Sequence, residues 1–142
     1  MKIKVAWVGK TKEAAIQSLS DEYLKRISRF AEIEGVAVKD EAGILALAAG
    51  SRCKLILLDA RGKQYSSEEF AELLDREQVN AVPLLFAVGG SDGFGDAARR
   101  SAGIVLSLGK MTLPHELARV ALLEQIYRGF TILKGHPYHA GH

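Results

Sequence analysis

A chain of 142 residues, 48% hydrophobic and 25% charged with a formal net charge of +2, has the size and composition of one globular domain that needs no covalent staple. Its lone cysteine, Cys53, excludes an intrachain disulfide and fits a reducing compartment, where a buried thiol is the ordinary reading. The start, Met1-Lys2-Ile3-Lys4-Val5, has no apolar signal core, and no apolar run approaches the roughly 18 residues of a membrane span; a cytoplasmic protein without membrane contact is expected.

In chain order, Ile3, Val5 and Trp7 alternate with Lys2, Lys4 and Ala6. Residues 2–8 therefore read as a first strand, and Gly9-Lys10-Thr11-Lys12 as the turn out of it. Ile16, Leu19, Tyr23, Ile27 and Phe30 recur at three- and four-residue steps and predict an amphipathic helix over 13–30, with Lys25, Arg26 and Arg29 facing water near its end. Residues 33–38 read as a second strand containing Gly35, and 40–49 as a short Ala/Leu helix stopped by Gly50. Lys54-Leu55-Ile56-Leu57-Leu58-Asp59 is a continuous apolar run, the pattern of a strand covered on both faces. Asp59-Ala60-Arg61-Gly62-Lys63 reads as the turn away from it.

Ser66 and Glu69 form a capping box for a helix that buries Phe70, Leu73 and Leu74. Pro83 opens a fourth covered strand over 84–88; a short helix over 96–101 and a fifth strand over 103–108 follow. The last helix spans 114–133, with proline in its first turn, where no hydrogen bond is lost. Leu117, Val120, Ala121, Leu122, Leu123, Ile126, Tyr127 and Phe130 cover most of its circumference. One buried stripe needs fewer, so its second side is expected against another subunit. Strands alternating with helices give a mostly parallel sheet with helices on both faces, in a single domain over 1–142.

In an open parallel sheet, ligands bind beyond the carboxyl ends of the strands. Three such ends carry candidates: Leu58-Asp59, Val88-Gly89-Gly90, and the stretch from Leu106 to Leu113. Gly89-Gly90-Ser91-Asp92-Gly93 follows the fourth strand rather than the first and lacks the spacing of a dinucleotide fingerprint. It reads either as a ligand loop or as a structural turn. His115, His136 and His139 have neither the spacing nor the carboxylate partners of a metal site, and no metal is expected. His115 either touches a ligand or packs in the first turn of its helix. Arg119 and Arg128 either pair with Glu116 and Glu124 along the helix or face RNA phosphates or a substrate carbonyl. The Gly-His-Pro-Tyr-His end either folds over a site or dangles. Residues 1–30 carry seven Lys/Arg and three acids, 31–82 six and ten, and 83–142 six and four. If the two ends meet, they form a basic face.

Some of this spacing is more specific. Ser107-Leu108, Met111-Thr112-Leu113-Pro114-His115, Leu117, Arg119-Val120, Glu124-Gln125, Tyr127-Arg128 and Pro137-Tyr138-His139 stand in one order with Gly89-Gly90 and Gly93. Upstream lie Val8-Gly9-Lys10, Glu22-Tyr23-Leu24-Lys25-Arg26, Leu58-Asp59 with Gly62, and Ser66-Ser67-Glu68-Glu69-Phe70-Ala71. Nearly the whole chain thus resembles the ribosomal RNA large subunit methyltransferase H family, of the SPOUT class. The resemblance implies a C-terminal deep trefoil knot, an exception to the unknotted rule. It also implies a homodimer, S-adenosylmethionine as cofactor, and methylation of N3 of a pseudouridine in 23S rRNA of the assembled ribosome. It assigns the cofactor to Leu58, Gly89, Leu108, Gly109, Lys110, Met111, Thr112 and Leu113, and points to Arg128, Tyr138 and His139 for the chemistry. His139 alone of these three has an ordinary pKa near neutrality.

The chain departs from that family between Lys39 and Ile44, where relatives are longer and basic. It departs again after His139, where Ala140-Gly141-His142 replaces a basic residue followed by an acid. Gly109-Lys110 also puts a charge beside the cofactor slot. Two other readings stand beside the methyltransferase: a SPOUT-fold RNA- or ribosome-binding protein with altered catalysis, and a small nucleotide-binding α/β protein using residues 89–93 as a phosphate nest.

Overall fold

The computed structural model describes residues 1–140. Its elements are β1 (Lys2–Val8), α1 (Ala14–Ile27), β2 (Glu32–Val38), α2 (Glu41–Gly50), β3 (Lys54–Gln64), α3 (Ser67–Asn80), β4 (Leu84–Val88), α4 (Asp96–Ser101), β5 (Ile104–Ser107) and α5 (His115–Leu133), closed by a 3-10 turn (Pro137–His139). The five strands form one sheet in the order β2-β1-β4-β3-β5, and every pairing is parallel.

Side chains alternate across the strands and feed two cores. Val5, Ile56, Leu84, Phe86 and Leu106 face α1, α3 and α5, packing on Ile27, Leu73, Leu122, Ile126 and Phe130. Ala6, Leu55, Leu57, Leu85 and Ala87 face α2 and α4, packing on Ile44 and Ala98. The predicted layers hold, and so does the capping box: Ser66 Oγ accepts from Glu69 N at 3.0 Å while Ser66 N donates to Glu69 Oε1 at 2.8 Å.

Four expectations need correction. Residues 59–63 do not leave the sheet. β3 pairs Leu58 with Leu106, bulges, and resumes with Lys63 opposite Leu106 and Gln64 opposite Ser107. The polar, glycine-containing segment looks like a turn because the pairing that holds it is long-range. Cys53 is half-buried, with Ser51 Oγ donating to its sulfur at 3.4 Å. Arg26 does not simply face water: it pairs with Glu22 at 2.9 Å and lies over the Tyr23 and Tyr127 rings. Finally, the broad apolar girth of α5 is covered mostly from within the chain, because α5 lies between α1 and α3. Phe30 stacks on Phe130 at 5.7 Å, and Tyr23 and Phe30 flank Tyr127. What stays exposed is Leu117 at 49% on α5 and Leu19 at 44% on α1.

The two ends of the chain do meet, in the α1–α5 contact, yet Arg26 and Arg128 are paired there and Arg119 is buried. Lys10, Lys12, Lys25, Arg29 and Lys134 remain exposed.

The bulge requires glycine at position 62. A Cβ there would lie 2.5 Å from Val105 O and 2.8 Å from Leu106 N, backbone atoms of the paired strand. We expect Gly62→Ala to cost roughly 1–3 kcal/mol, as overpacking against atoms that cannot move aside. Urea unfolding measures it, and an unchanged midpoint would show that the bulge relaxes freely.

Candidate functional site

Because β4, β3 and β5 are neighbours in a parallel sheet, the segments leaving their carboxyl ends converge. Together they line a cavity of ≈ 290 Å³. Of the residues predicted to bind a cofactor, Leu58, Gly89, Leu108, Gly109, Met111, Thr112 and Leu113 line it, while Lys110 is exposed and outside the lining. His115 and Ala118, on the first turn of α5, close one side. The 107–114 loop turns sharply through Gly109, whose φ of +150° is one that residues with a Cβ rarely adopt. Ser107 Oγ pins this turn by donating to Gly109 O at 2.9 Å and accepting from Gly109 N at 3.1 Å. Residues 89–93 are a structural turn as well as a wall: Gly93 N donates to Gly90 O at 3.0 Å.

The lining also holds the charged groups Asp59, Arg61 and Asp92; the sequence placed Asp59 at a candidate strand end and Asp92 in a candidate loop but assigned none of the three a role. Asp59 ends the apolar stretch of β3 with its side chain only 9% exposed. Its Oδ1 accepts from Arg61 N at 2.9 Å and Arg61 Nε at 3.4 Å, and its Oδ2 from Arg99 Nη1 at 3.5 Å. Burial alone would raise the carboxyl pKa, but the Arg61 bonds and the Arg61 and Arg99 charges outweigh it and hold the group below its ordinary value. Arg99 also donates to Phe94 O at 2.6 Å and Asp96 Oδ1 at 2.5 Å, so one guanidinium ties the β3 wall to the β4–α4 wall. A carboxylate at the carboxyl end of a buried parallel strand was the signal available for Asp59.

A larger groove of ≈ 600 Å³ lies at the amino ends of β1 and β4, lined by Lys2, Lys4, Arg52 and Cys53 among others. That edge lacks the converging strand-end loops, so the smaller cavity is the better candidate. No group of three or more His, Cys, Asp or Glu is placed to hold a metal ion among the described residues. Among the described residues no helix is long and apolar enough to cross a membrane.

Arg128, Tyr138 and His139 do not line the cavity. Arg128 follows His115 by 13 residues on α5, which is about 20 Å at helical rise. The terminal turn does not dangle. Tyr138 packs edge-on against Tyr127, with centroids 4.6 Å apart, and its hydroxyl donates to Glu124 Oε2 at 3.0 Å and lies 3.4 Å from the Tyr23 hydroxyl. Arg128 donates to the same carboxylate at 3.0 and 2.6 Å. Burial, followed by the bonds to Tyr23 and Glu124, pushes the Tyr138 phenol well above its ordinary pKa. His136 Nδ1 accepts from Tyr138 N at 3.1 Å. His139 is half-buried, and its Nδ1 is buried without a hydrogen-bond partner among the described residues. Ala140 N donates to Pro137 O at 3.0 Å; Gly141 and His142 lie outside the described residues.

The two arginines of α5 take different fates. Arg128 forms the expected pair with Glu124. Arg119 does not pair with Glu116, whose carboxylate accepts from Lys12 N at 2.7 Å. It is 1% exposed, stacks 4.2 Å over the Trp7 ring and donates to Thr11 Oγ1 at 2.8 Å.

A family model described as a predicted SPOUT methyltransferase matches residues 1–139. A ribosomal RNA large subunit methyltransferase H of Koribacter versatilis is 54% identical, with 100% of each chain covered. Another, of Geobacter sulfurreducens, is 45% identical, covering 98% of this chain and 99% of its own. Among solved structures, the SpoU methyltransferase AviRb of Streptomyces viridochromogenes in complex with AdoMet superposes with a TM-score of 0.56 at 14% identity, over 92% of this chain and 61% of its own. A probable methylase family protein of Haemophilus influenzae gives 0.60 at 12%, over 96% and 69%.

Asp59 sets a pH dependence. A carboxylate whose folded pKa is depressed adds stability above its unfolded pKa and loses it as pH falls through the folded value. Asp59→Asn should therefore be less stable than the parent at neutral pH, with the gap closing below about pH 3.9, the ordinary Asp value. Thermal melts across that range test this, and a gap constant with pH would mean the charge of Asp59 contributes nothing.

Proposed function

Because the chain belongs to the ribosomal RNA large subunit methyltransferase H family of SPOUT methyltransferases, we propose that it transfers a methyl group from S-adenosylmethionine to N3 of a pseudouridine in 23S rRNA, acting on the assembled ribosome as a cytoplasmic homodimer. The observation that carries this reading is the convergence of Leu58, Gly89 and the 108–113 loop on one cavity at the carboxyl ends of β3, β4 and β5.

The residues present suit this cofactor. Leu58, Leu108 and Leu113 offer an apolar slot for adenine, and the turn at Gly109 offers backbone groups for its edge. Gly89 is buried, and a Cβ there would lie 3.2 Å from the Phe94 ring and 3.3 Å from the Gly93 backbone, so the wall is already close-packed at this position. Asp59, held ionised by its arginines, supplies an acceptor for hydroxyl or ammonium groups. When bound, S-adenosylmethionine supplies an already activated methyl group. The chain's own task is to align the acceptor nitrogen and take up its proton. We assign that task to His139, Tyr138 and Arg128. None of the three lines the cavity of its own chain, and Arg128 lies ten residues beyond Ala118, the last α5 residue of that lining, about 15 Å at helical rise; in this reading they serve the cavity of the partner subunit. Exposed Leu117 on α5 and Leu19 on α1, two helices packed on each other, support an apolar face for a second copy. The reading includes the knot: β3 flanks β5 on either side of its bulge, and α5 returns between α1 and α3, in keeping with a threaded C-terminal half.

A binding protein with altered catalysis remains the second reading, motivated by Ala140 at the position after His139. A nucleoside triphosphate suits the cavity less, because Asp59 and Asp92 both line it against a single guanidinium, that of Arg61.

The deciding experiment is mass-spectrometric mapping of rRNA after incubating the protein and S-adenosylmethionine with ribosomes from a strain lacking the gene. One new methyl group on one pseudouridine N3 is expected; no methylation, with cofactor binding intact, would favour the second reading. The shared site has its own test. Gly89→Arg and His139→Ala should each be inactive as homodimers. Co-expressed, they should recover about a quarter of parental activity, since half of randomly paired dimers carry one intact site. No recovery would place slot and tail in the same chain. Sedimentation at twice the 15.4 kDa chain mass is the accompanying control.

A further inference from the structure

We propose that Tyr138 and Arg128 are positioning residues that act through Glu124. Together they clamp the C-terminal turn to α5 and so fix the place from which His139 works. The proposal rests on the reading of the tail as part of a methyl-transfer site and reassigns two of its three members.

The Glu124 carboxylate is the centre of the clamp. Oε2 accepts from Arg128 Nε at 3.0 Å, Arg128 Nη2 at 2.6 Å and Tyr138 Oη at 3.0 Å, while Oε1 accepts from Gln125 Nε2 at 2.9 Å. A carboxylate offers about four acceptor sites, and four donors converge on Glu124. Arg128 presents a planar fork to one carboxylate, with its side chain 15% exposed, and its charge is matched. The Tyr138 hydroxyl gives its hydrogen to that same carboxylate, its ring edge meets Tyr127, and the Arg128 guanidinium lies 5.3 Å from its centroid. The groups that look chemical in sequence are thus engaged with each other. The raised pKa of the phenol agrees: it stays protonated at neutral pH.

The turn needs such a clamp. Three residues beyond a helix end are normally frayed. Among the described residues the backbone bonds at this turn include Ala140 N to Pro137 O, His136 N to Thr131 O, and Tyr138 N to a side-chain acceptor, His136 Nδ1. Tyr138 packs against the main core. His139 follows it directly and is itself half-buried, so the clamp on Tyr138 bears on where the imidazole sits.

The test is a double-mutant cycle on methyl transfer to ribosomes with Glu124→Gln and Tyr138→Phe, both close to isosteric. Each single change should lower kcat by at least about tenfold, the scale of a misplaced reacting group. Cofactor affinity should stay within about twofold, since only transition-state alignment is lost. The double variant should be no worse than the poorer single. Losses that multiply would mean that Tyr138 meets the substrate independently of Glu124, and the proposal fails. Arg128→Lys keeps the charge but not the fork; it should lose activity like the others, and full activity would overturn the role of Arg128. Hydrogen exchange at the Ala140 amide, in cofactor-free protein, reads the clamp without catalysis. Protection in the parent that is lost in both Glu124→Gln and Tyr138→Phe is expected, and equal rates in all three would overturn the clamp. If the parent transfers no methyl group, the functional reading fails while the exchange data still decide the clamp.

Discussion

A parallel sheet brings the carboxyl ends of all its strands to one edge, and the rest of this molecule depends on that constraint. With β4, β3 and β5 adjacent, three segments distant in sequence have to meet there. A cavity at their junction follows from the connectivity before any side chain is chosen. Side chains then set its character. The leucines of β3 and the β5–α5 loop make it apolar, a turn through Gly109 exposes backbone groups, and Asp59 adds one fixed acceptor held between Arg61 and Arg99.

Helix α5 links the two functional regions. Its first turn closes the cavity through His115 and Ala118, and its last turns carry Glu124, Tyr127 and Arg128, on which the terminal turn sits. The helix is a rigid spacer between them: Glu124 and Arg128, which seat the tail, follow Ala118 of the cavity by six and ten residues, about 9 and 15 Å at helical rise. Its position is held by packing on both flanks and, near the amino end, by a buried cation stacked on an aromatic ring: Arg119 over Trp7, with Thr11 accepting one hydrogen bond. Glu116, which accepts from Lys12 N, adds a second tie to the same β1–α1 loop. The loop carrying Lys10 and Lys12 is thereby held beside the helix end that borders the cavity.

Legibility varied by residue for physical reasons. The capping box at Ser66 and Glu69 was plain because both partners lie within one turn. The grouping of Leu58, Gly89 and the 108–113 loop was accessible through the strand-end rule and the family resemblance together. The continuation of β3 past Asp59 was not, because a polar segment with glycine has turn composition and only pairing with β5 makes it a strand. Glu116 and Glu124 each precede an arginine at helical spacing, yet only Glu124 pairs with it; Lys12 takes the other carboxylate from across the fold. The girth of α5 suggested a subunit contact on half its surface, and α1 and α3 fill most of that requirement.

The sequence by itself determined the order and type of the elements and the two-faced burial of β3 and β4, because these rest on local periodicity, and it pointed to the strand ends that meet at the cavity, because a parallel topology brings them together. Tertiary structure alone decided which charged groups are spent on one another. Asp59 with its arginines, Arg119 on Trp7, and the closing of Tyr138 and Arg128 on Glu124 are contacts between groups that sequence spacing either leaves far apart or offers several partners. A charged side chain takes whichever partner folding brings within about 3 Å, and that distance is a property of the packed molecule.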